Sequence, residues 1–143
     1  MIQDTILFGD CRETLKEFTG KARMCVTSPP YYGLRNYGNE ENQIGQEQSP
    51  EEYIDNLVKV FREVRNVLTD DGTCWVNIGD SYYNYRPGRG QGLAKQTVSN
   101  TKQDLPDVCP RRGNRLEGLK EKDLIGIPWM LAFALRADGW YLR

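Results

Sequence analysis

A run of hydroxyl, proline and tyrosine residues, TSPPYY at positions 27–32, combines groups that can hold a flat polar molecule. The two prolines fix their own φ angles and keep Ser28 out of the helical region, so the backbone carbonyls of this corner point in set directions. The Ser28 hydroxyl adds an acceptor, and the Tyr31 ring offers a surface for stacking. These residue types therefore suit a planar ligand that carries an amine.

The segment before the corner places it at the end of a strand. ARMCVTSPP predicts a buried strand from Met24 to Val26 that must end at the prolines, because proline cannot donate to a ladder. In open parallel sheets, ligands bind beyond the carboxyl ends of the strands. The predicted position of the corner therefore favours a ligand-binding site. Four residues also recur by chance, so the motif alone leaves a second interpretation open, a proline-stiffened turn whose tyrosines only pack.

The chain continues with strands and helices in alternation. TILFGD predicts a strand stopped by Gly9, CRETLKEF a helix, TCWVNIGD a third strand and WYLR the start of a fourth. IGIPWMLAFALRADG predicts a helix that is entered at Pro128 and stopped by Gly139. This alternation predicts an α/β fold with a mostly parallel sheet.

The clearest helix signal lies between the corner and the third strand. Ser49 and Glu52 form a capping box, and Pro50 takes the first helical position. We expect Gly72 to end this helix. One apolar stripe runs along it, made of Ile54, Leu57, Phe61, Val64 and Leu68.

Composition excludes several classes of protein and of chemistry. The 143 residues are 38% apolar and 27% charged, which predicts one globular domain or part of one, and no apolar run approaches the roughly 18 residues of a membrane span. No secretory signal is visible at the start, so we predict a cytoplasmic protein. The absence of histidine excludes serine–histidine and cysteine–histidine catalysis. The four cysteines include no C-x-x-C pair, and no metal site is predicted.

Residues 84–118 differ from the rest of the chain. They are rich in turn formers and have no sustained periodicity. Residues 84–123 carry nine basic and five acidic side chains, a net charge of +4, whereas residues 1–83 have a net charge of −6. A long structureless stretch inside a domain is usually a functional or disordered loop. We predict a variable or mobile basic loop over residues 84–118, with a solvated loop that has no partner as the alternative.

Longer segments on either side of the corner extend its pattern. GDCRETLKE precedes it, EEYIDNLVKVFREVRNVLTDDGTCWVNIGDSYY follows it, and KDLIGIPWMLAFALRADGWYLR comes after the basic loop. Together with TSPPYYGLRNYG, these segments resemble the DNA methyltransferases that methylate exocyclic amines with S-adenosylmethionine. The resemblance covers nearly the whole chain. It implies a partial Rossmann-like methyltransferase sheet, mostly parallel, with helices on its faces and a long basic loop.

The resemblance also assigns roles to residues. In that family the corner is the catalytic motif, which here consists of Ser28, Pro29, Pro30 and Tyr31. Cofactor binding is implied for Asp10, Cys11 and Thr27. The Asp10 carboxylate would accept a hydrogen bond from the adenine amine, although Asp10 can also cap the helix that follows it. The segment NIGDSYY would line the target pocket with Asp80 and Tyr82, and Asp80 can alternatively cap a turn.

The substrate implied by the resemblance is double-stranded DNA, in a restriction-modification system. Serine in the first position of a motif near the N-terminus is more usual for members that methylate cytosine N4 than for adenine N6 members. Cytosine N4 is therefore expected, with adenine N6 as the alternative. The predicted DNA contacts are Arg35, Arg86, Arg89, Arg111 and Arg112.

One feature of that family is missing from the sequence. Members with this motif order carry a second half, in which a Gly-rich F-x-G-x-G turn holds the methionine part of the cofactor, and no F-x-G-x-G occurs here. RPGRGQG is no substitute, because no helix follows it. We therefore predict that residues 1–143 form the N-terminal catalytic half of a methyltransferase domain and are inactive alone. Exposed strand edges would then invite pairing with a second chain that carries the cofactor half.

Two further classes of function were weighed. A non-catalytic DNA-binding remnant that keeps the basic loop is the main alternative. A relative that methylates a protein glutamine would also contain such a corner, but those enzymes place the cofactor half first. The motif order here argues against that class.

Overall fold

The computed structural model describes residues 5–34, 43–83, 116 and 118–143. Its elements are α1 (Cys11–Glu17), β1 (Ala22–Thr27), α2 (Pro50–Val67), β2 (Leu68–Val76) and α3 (Ile127–Ala137). Within this described part, β1 and β2 form a two-stranded parallel sheet. The α/β class and the parallel pairing predicted from the sequence are confirmed.

The described residues divide into two compact units. Unit 1 comprises those within 1–29, 54–78 and 128–143, and unit 2 comprises those within 30–53 and 79–127. The sheet belongs to unit 1. The chain passes from unit 1 to unit 2 between Pro29 and Pro30, inside the proline corner, and returns within α2.

The start of α2 is built as predicted. The Ser49 hydroxyl accepts the N–H of Glu52 at 3.2 Å, and the Glu52 carboxylate accepts the N–H of Gln48 at 3.2 Å. Pro50 is the first helical residue, where its missing N–H removes no helical hydrogen bond. All five positions of the predicted apolar stripe are buried: Ile54, Leu57, Phe61, Val64 and Leu68.

The predicted end of α2 is wrong. The helix ends at Val67, and β2 begins at Leu68, which pairs with Ala22 of β1 before the register shifts. Gly72 lies inside β2, where an added Cβ would come within 2.9 Å of the Thr69 carbonyl oxygen. Gly72 therefore permits a close backbone approach and does not end the helix. Pairing with a distant strand decides where the helix stops, and no local pattern encodes that pairing.

The two faces of the sheet differ in exposure. Cys25 pairs with Cys74, and both thiols are half-buried. Burial, together with the neighbouring Cys25, raises the pKa of Cys74 to about 12. The opposite face is apolar yet exposed, with Met24 at 58%, Val26 at 71% and Trp75 at 63% of their full accessibility. Parallel sheets are normally covered on both faces, so one face of this sheet is bare.

Two predicted strands are absent from the structure. Residues 5–8 and 140–143 have no strand conformation. A strand is stabilised by hydrogen bonds to a neighbouring strand, and within the described ranges only β1 and β2 pair in this way. These two segments expose apolar side chains, namely Ile6, Leu7, Phe8, Tyr141 and Leu142.

The end of α3 is tied to α2 within unit 1. Gly139 follows the helix with φ +99°, as expected for a residue that stops it. The Arg62 guanidinium donates to the Asp138 carboxylate at 2.7 Å, and Arg65 donates to the Asp138 carbonyl oxygen. The hydrogen bond from Arg62 holds the pKa of Asp138 below its ordinary value. This ion pair therefore stabilises unit 1 only while Asp138 is ionised.

We expect Asp138→Asn to lower the melting temperature at pH 7. Because the folded-state pKa of Asp138 is lowered, its stabilisation is fully present above the ordinary value of 3.8 and is lost as pH falls through the folded pKa. The difference from wild type should therefore narrow as the pH is lowered toward 3, as measured by thermal unfolding at several pH values. Asp71→Asn is the control, since Asp71 and Arg23 form an exposed pair whose removal should change little at any pH. Equal melting temperatures for wild type and Asp138→Asn at pH 7 would contradict the prediction.

Candidate active site

The first half of the proline corner lies directly past the paired end of β1. Thr27 is the last residue of the strand and pairs with Val76. Its carbonyl still accepts the N–H of Asn77 at 2.9 Å. The ladder therefore reaches Thr27, and the next residues, an exposed Ser28 and a half-buried Pro29, leave the carboxyl end of a parallel strand. This is the position at which open α/β sheets bind ligands.

The second half of the corner is anchored within unit 2. The Tyr53 hydroxyl donates to the Pro30 carbonyl oxygen at 2.7 Å. Tyr53 has no exposed surface, and its ring centroid lies 5.3 Å from that of the buried Tyr32, at an interplanar angle of 43°. A buried tyrosine hydroxyl normally needs a partner, and here the partner is the backbone of the candidate motif.

The Tyr31 ring lies against the backbone of Gly79. A Cβ added to Gly79 would come within 2.9 Å of the Tyr31 Cε2 atom and 3.2 Å of its Cδ2 atom. On the backbone side, the Tyr31 carbonyl accepts the N–H of Leu34 at 3.3 Å, and a Cβ on Gly45 would come within 3.0 Å of that oxygen. The half-buried Tyr31 is thus placed by two close approaches that glycine permits.

Asp80 has a structural role in unit 2. Its carboxylate accepts the N–H groups of Ser81 at 2.8 Å, of Gly126 at 3.0 Å and of Ile127, the first residue of α3, at 3.2 Å. A carboxylate at a helix start satisfies N–H groups that have no partner inside the helix. The sequence predicted for Asp80 a place in the target pocket or the cap of a turn, and the structure shows instead that its carboxylate caps the start of α3. Tyr82 is 67% exposed and forms an isolated antiparallel bridge with Leu124.

The predicted cofactor residues Asp10 and Cys11 lie at the start of α1 in unit 1. Asp10 is the N-cap, and its carboxylate accepts the backbone N–H of Arg12 at 2.9 Å and pairs with the Arg12 guanidinium. The hydrogen bond from Arg12 lowers the pKa of Asp10, so the group remains an acceptor at neutral pH. Cys11 is exposed, and partial burial of its thiol raises the pKa of that group. The structure thus shows the capping role of Asp10.

The predicted DNA contacts cannot be placed. The residues concerned lie outside the described part of the chain: Arg35, Arg86, Arg89, Arg111 and Arg112. Of the predicted basic loop over 84–118, only Leu116 and Gly118 are described. The DNA contacts and the loop therefore stay predictions.

Two residues at the candidate site were not found from the sequence, Tyr53 and Gly79. Tyr53 lies next to the apolar stripe of α2, and a tyrosine beside side chains without polar atoms is a signal that its hydroxyl has a specific partner. Gly79 lies near the end of the segment predicted as the third strand, where a glycine can mark a close approach. Both signals indicate a contact, but neither identifies the partner.

The described ranges contain no candidate metal centre and no helix that could span a membrane. No group of three or more cysteine, aspartate or glutamate side chains there could hold a metal ion. No helix among the same residues is long and apolar enough to cross a membrane.

Comparison with known proteins identifies the family. An N6/N4 methyltransferase family model, described as DNA methylase, matches residues 22–142. This match includes the proline corner, α2, β2 and α3. The chain therefore belongs to this family of DNA methylases.

Curated relatives include the type II methyltransferases M.Cfr9I of Citrobacter freundii and M.SmaI of Serratia marcescens. They are 49% identical over 140 residues and 48% identical over 139 residues, which is 97% and 96% of this chain but 44% of each relative. The type II methyltransferase M.SfiI of Streptomyces fimbriatus is 41% identical over 118 residues, or 82% of this chain and 23% of the relative. The chain thus spans less than half the length of these relatives. No solved structure matches it.

We expect Gly79→Ala to destabilise the protein through a clash with the Tyr31 ring. Overpacking of this kind costs about 1–3 kcal/mol. Most of the cost should disappear in a Tyr31→Ala background, because the ring that clashes is then absent. Denaturant unfolding of the wild type, both single variants and the double variant measures the coupling. An equal cost of Gly79→Ala in both backgrounds would show that the ring does not lie on Gly79.

Proposed function

We propose that this chain is the catalytic half of a site-specific DNA methyltransferase, which transfers a methyl group from S-adenosylmethionine to the exocyclic amine of a flipped base. The main support is the position of Ser28 and Pro29 directly past the paired end of β1, in a chain of the DNA methylase family. We place this activity on double-stranded DNA, in a restriction-modification system, in the cytoplasm.

The corner supplies acceptors for the amine that reacts. The lone pair of an exocyclic amine is delocalised into the base ring, which makes the nitrogen a poor nucleophile. In the proposed mechanism the Ser28 hydroxyl and the Pro29 carbonyl accept hydrogen bonds from the N–H groups of the amine. These hydrogen bonds draw the nitrogen toward tetrahedral geometry and direct its lone pair at the methyl donor. The acceleration of methyl transfer comes from orientation and electrostatics, with no covalent intermediate on the protein.

Tyr31 gives the flipped base a surface. Extrusion of a base from the duplex costs a few kcal/mol, and stacking on an aromatic side chain offsets part of that cost. The ring is half-buried and rests against Gly79, so one of its sides is supported by the protein. In this proposal Tyr31 orients the base and Ser28 engages its amine.

The described residues fit the cofactor in part. Asp10 keeps an ionised carboxylate at the start of α1, although Arg12 already occupies some of its acceptor sites. The Cys11 backbone and Thr27 complete the proposed cofactor residues on this chain. When bound, S-adenosylmethionine would supply the methyl group: its bond to sulfur breaks as the bond to the amine nitrogen forms, the sulfur leaves as a neutral thioether, and one amine proton passes to water.

The bare face of the sheet supports the proposal that a second half completes the domain. Met24, Val26 and Trp75 are exposed on that face, and two apolar segments at residues 5–8 and 140–143 are also uncovered. Large exposed apolar surfaces on a protein usually mark an interaction site. We propose that the part present in the longer relatives, supplied by the same chain or by a second chain, covers this face and adds the remaining cofactor contacts.

We expect residues 1–143 alone to bind S-adenosylmethionine weakly, with a dissociation constant well above micromolar. Addition of the part of M.Cfr9I that lies beyond the aligned region should bring the constant toward micromolar, which corresponds to about −8 kcal/mol. Isothermal titration calorimetry measures both states. Trp75→Glu on the bare face should prevent this gain, whereas Lys59→Glu on the exposed side of α2 should not. Micromolar binding by residues 1–143 alone would contradict the proposed division of the pocket.

In the completed enzyme, meaning this chain together with the proposed second half, we expect Ser28→Ala to lower kcat with little change in DNA affinity. The reason is that the hydrogen bond from the amine to the Ser28 hydroxyl is strongest in the transition state. Tyr31→Phe should keep substantial activity, whereas Tyr31→Ala should lose about 1–3 kcal/mol of base binding. Single-turnover transfer assays on duplexes give the rates, and mass spectrometry of the nucleosides identifies the product.

The product decides between the alternatives. Methyl groups on cytosine N4 are expected. Methyl groups on adenine N6 would show that the target base is adenine and would leave the proposed mechanism unchanged. A completed wild-type enzyme that binds DNA and cofactor without methyl transfer would favour the non-catalytic DNA-binding remnant. Wild-type rates in both Ser28→Ala and Tyr31→Ala would reduce the corner to a proline-stiffened turn.

A further inference from the structure

The direction of the Pro30 carbonyl depends on ψ of Pro30, the dihedral angle of the proline corner that directly precedes Tyr31. The pyrrolidine ring fixes φ of Pro30, and the following peptide bond is planar, so only ψ of Pro30 can rotate the peptide plane that leads into Tyr31. The direction of the Pro30 carbonyl reports that angle. A group that binds this oxygen therefore sets the plane from which the Tyr31 side chain projects.

Tyr53 binds this oxygen from a rigid position. Its hydroxyl donates to the Pro30 carbonyl at 2.7 Å, and its side chain has no exposed surface. Tyr53 lies in the first turn of α2, directly after the Ser49 cap and Pro50. Its ring also packs beside that of the buried Tyr32. The Tyr53 side chain therefore cannot change its orientation without disturbing the start of α2 and the buried pair of aromatic rings.

From this geometry we infer that Tyr53 is a positioning residue for the candidate active site. Its hydroxyl directs the Pro30 carbonyl toward α2 and so sets the direction of the Tyr31 side chain, whose ring then meets Gly79. One lone pair of the Pro30 carbonyl oxygen is occupied in this way, and the acceptor proposed above for the amine of a target base is a different group, the Pro29 carbonyl. The role in catalysis rests on the proposed function, whereas the role in setting the corner rests on the contact itself.

A matched control separates this role from ordinary stabilisation. Tyr83 is also a buried tyrosine of unit 2, 6% exposed, and its hydroxyl accepts the backbone N–H of Leu116 at 3.2 Å. Tyr53→Phe and Tyr83→Phe each remove one hydroxyl that bonds to the backbone and keep the ring. Both should lower stability by a similar amount, but only Tyr53→Phe removes a contact to the corner.

The contact can be observed directly in residues 1–143. Pro30–Tyr31 is the only proline–tyrosine pair in the sequence, so labelling with ¹³C-carbonyl proline and ¹⁵N tyrosine gives one carbonyl–amide correlation. We expect the Pro30 carbonyl resonance to move upfield in Tyr53→Phe, since loss of a hydrogen bond shields a carbonyl carbon, and to stay in place in Tyr83→Phe. An unmoved resonance in Tyr53→Phe overturns the inference.

The catalytic consequence is tested in the completed enzyme. Tyr53→Phe should lower kcat about tenfold, equivalent to about 1.4 kcal/mol, with the KM for DNA unchanged. Tyr83→Phe should keep kcat close to that of the wild type. An unchanged kcat in Tyr53→Phe, or an equal loss in both variants, overturns the positioning role. A wild-type enzyme without methyl transfer refutes the proposed function instead, and the carbonyl resonance still decides whether Tyr53 sets the corner.

Discussion

Two consecutive prolines remove most of the backbone freedom at the end of β1, and the candidate site depends on that constraint. Neither proline can donate to a ladder, so the paired region stops and the chain leaves the sheet. With both φ angles fixed, few contacts are needed to place the residues that follow. Tyr53 binds the Pro30 carbonyl, and Gly79 gives room to the Tyr31 ring. These contacts, both within unit 2, therefore hold Pro30 and Tyr31 in place.

The elements that position the corner also have other structural roles. The first turn of α2 supplies Tyr53 to unit 2, and the rest of the helix buries its apolar stripe in unit 1. Asp80 binds the start of α3 through its carboxylate, and it directly follows Gly79, on which the Tyr31 ring rests. The residues that contact the corner thus lie within a helix start or directly before a residue that caps one. Changes at these positions should be read first for stability and then for catalysis.

The sequence predicted those features that local physical chemistry determines. The cap at Ser49, the apolar stripe of α2, the end of α3 at Gly139 and the end of β1 at the prolines all follow from short-range rules. The residue types of the corner suggested a ligand site, and the resemblance to DNA methyltransferases assigned it the catalytic role, which stays a prediction. Asp10 and Asp80 were each given two roles, and the structure shows a capping role for both.

The features that escaped prediction depend on contacts between distant residues. The end of α2 was placed too late because Leu68 joins a strand by pairing with Ala22, 46 positions earlier. Residues 5–8 and 140–143 have strand-like composition, but a strand also needs a neighbour. Tyr53 and Gly79 reach the corner only through the tertiary fold. No local pattern states which buried hydroxyl meets which carbonyl.

The bare face of the sheet has a consequence for synthesis on the ribosome. The β1–α2–β2 segment lies within residues 22–76, so any later part of the chain that covers this face would be synthesised after it. At about 5–20 residues per second, a later part of about 100 residues would take on the order of ten seconds to follow. Throughout that interval Met24, Val26 and Trp75 would be exposed to solvent. Nascent chains of this kind are natural clients for chaperones that shield apolar surface, and their yield should depend on chaperone supply.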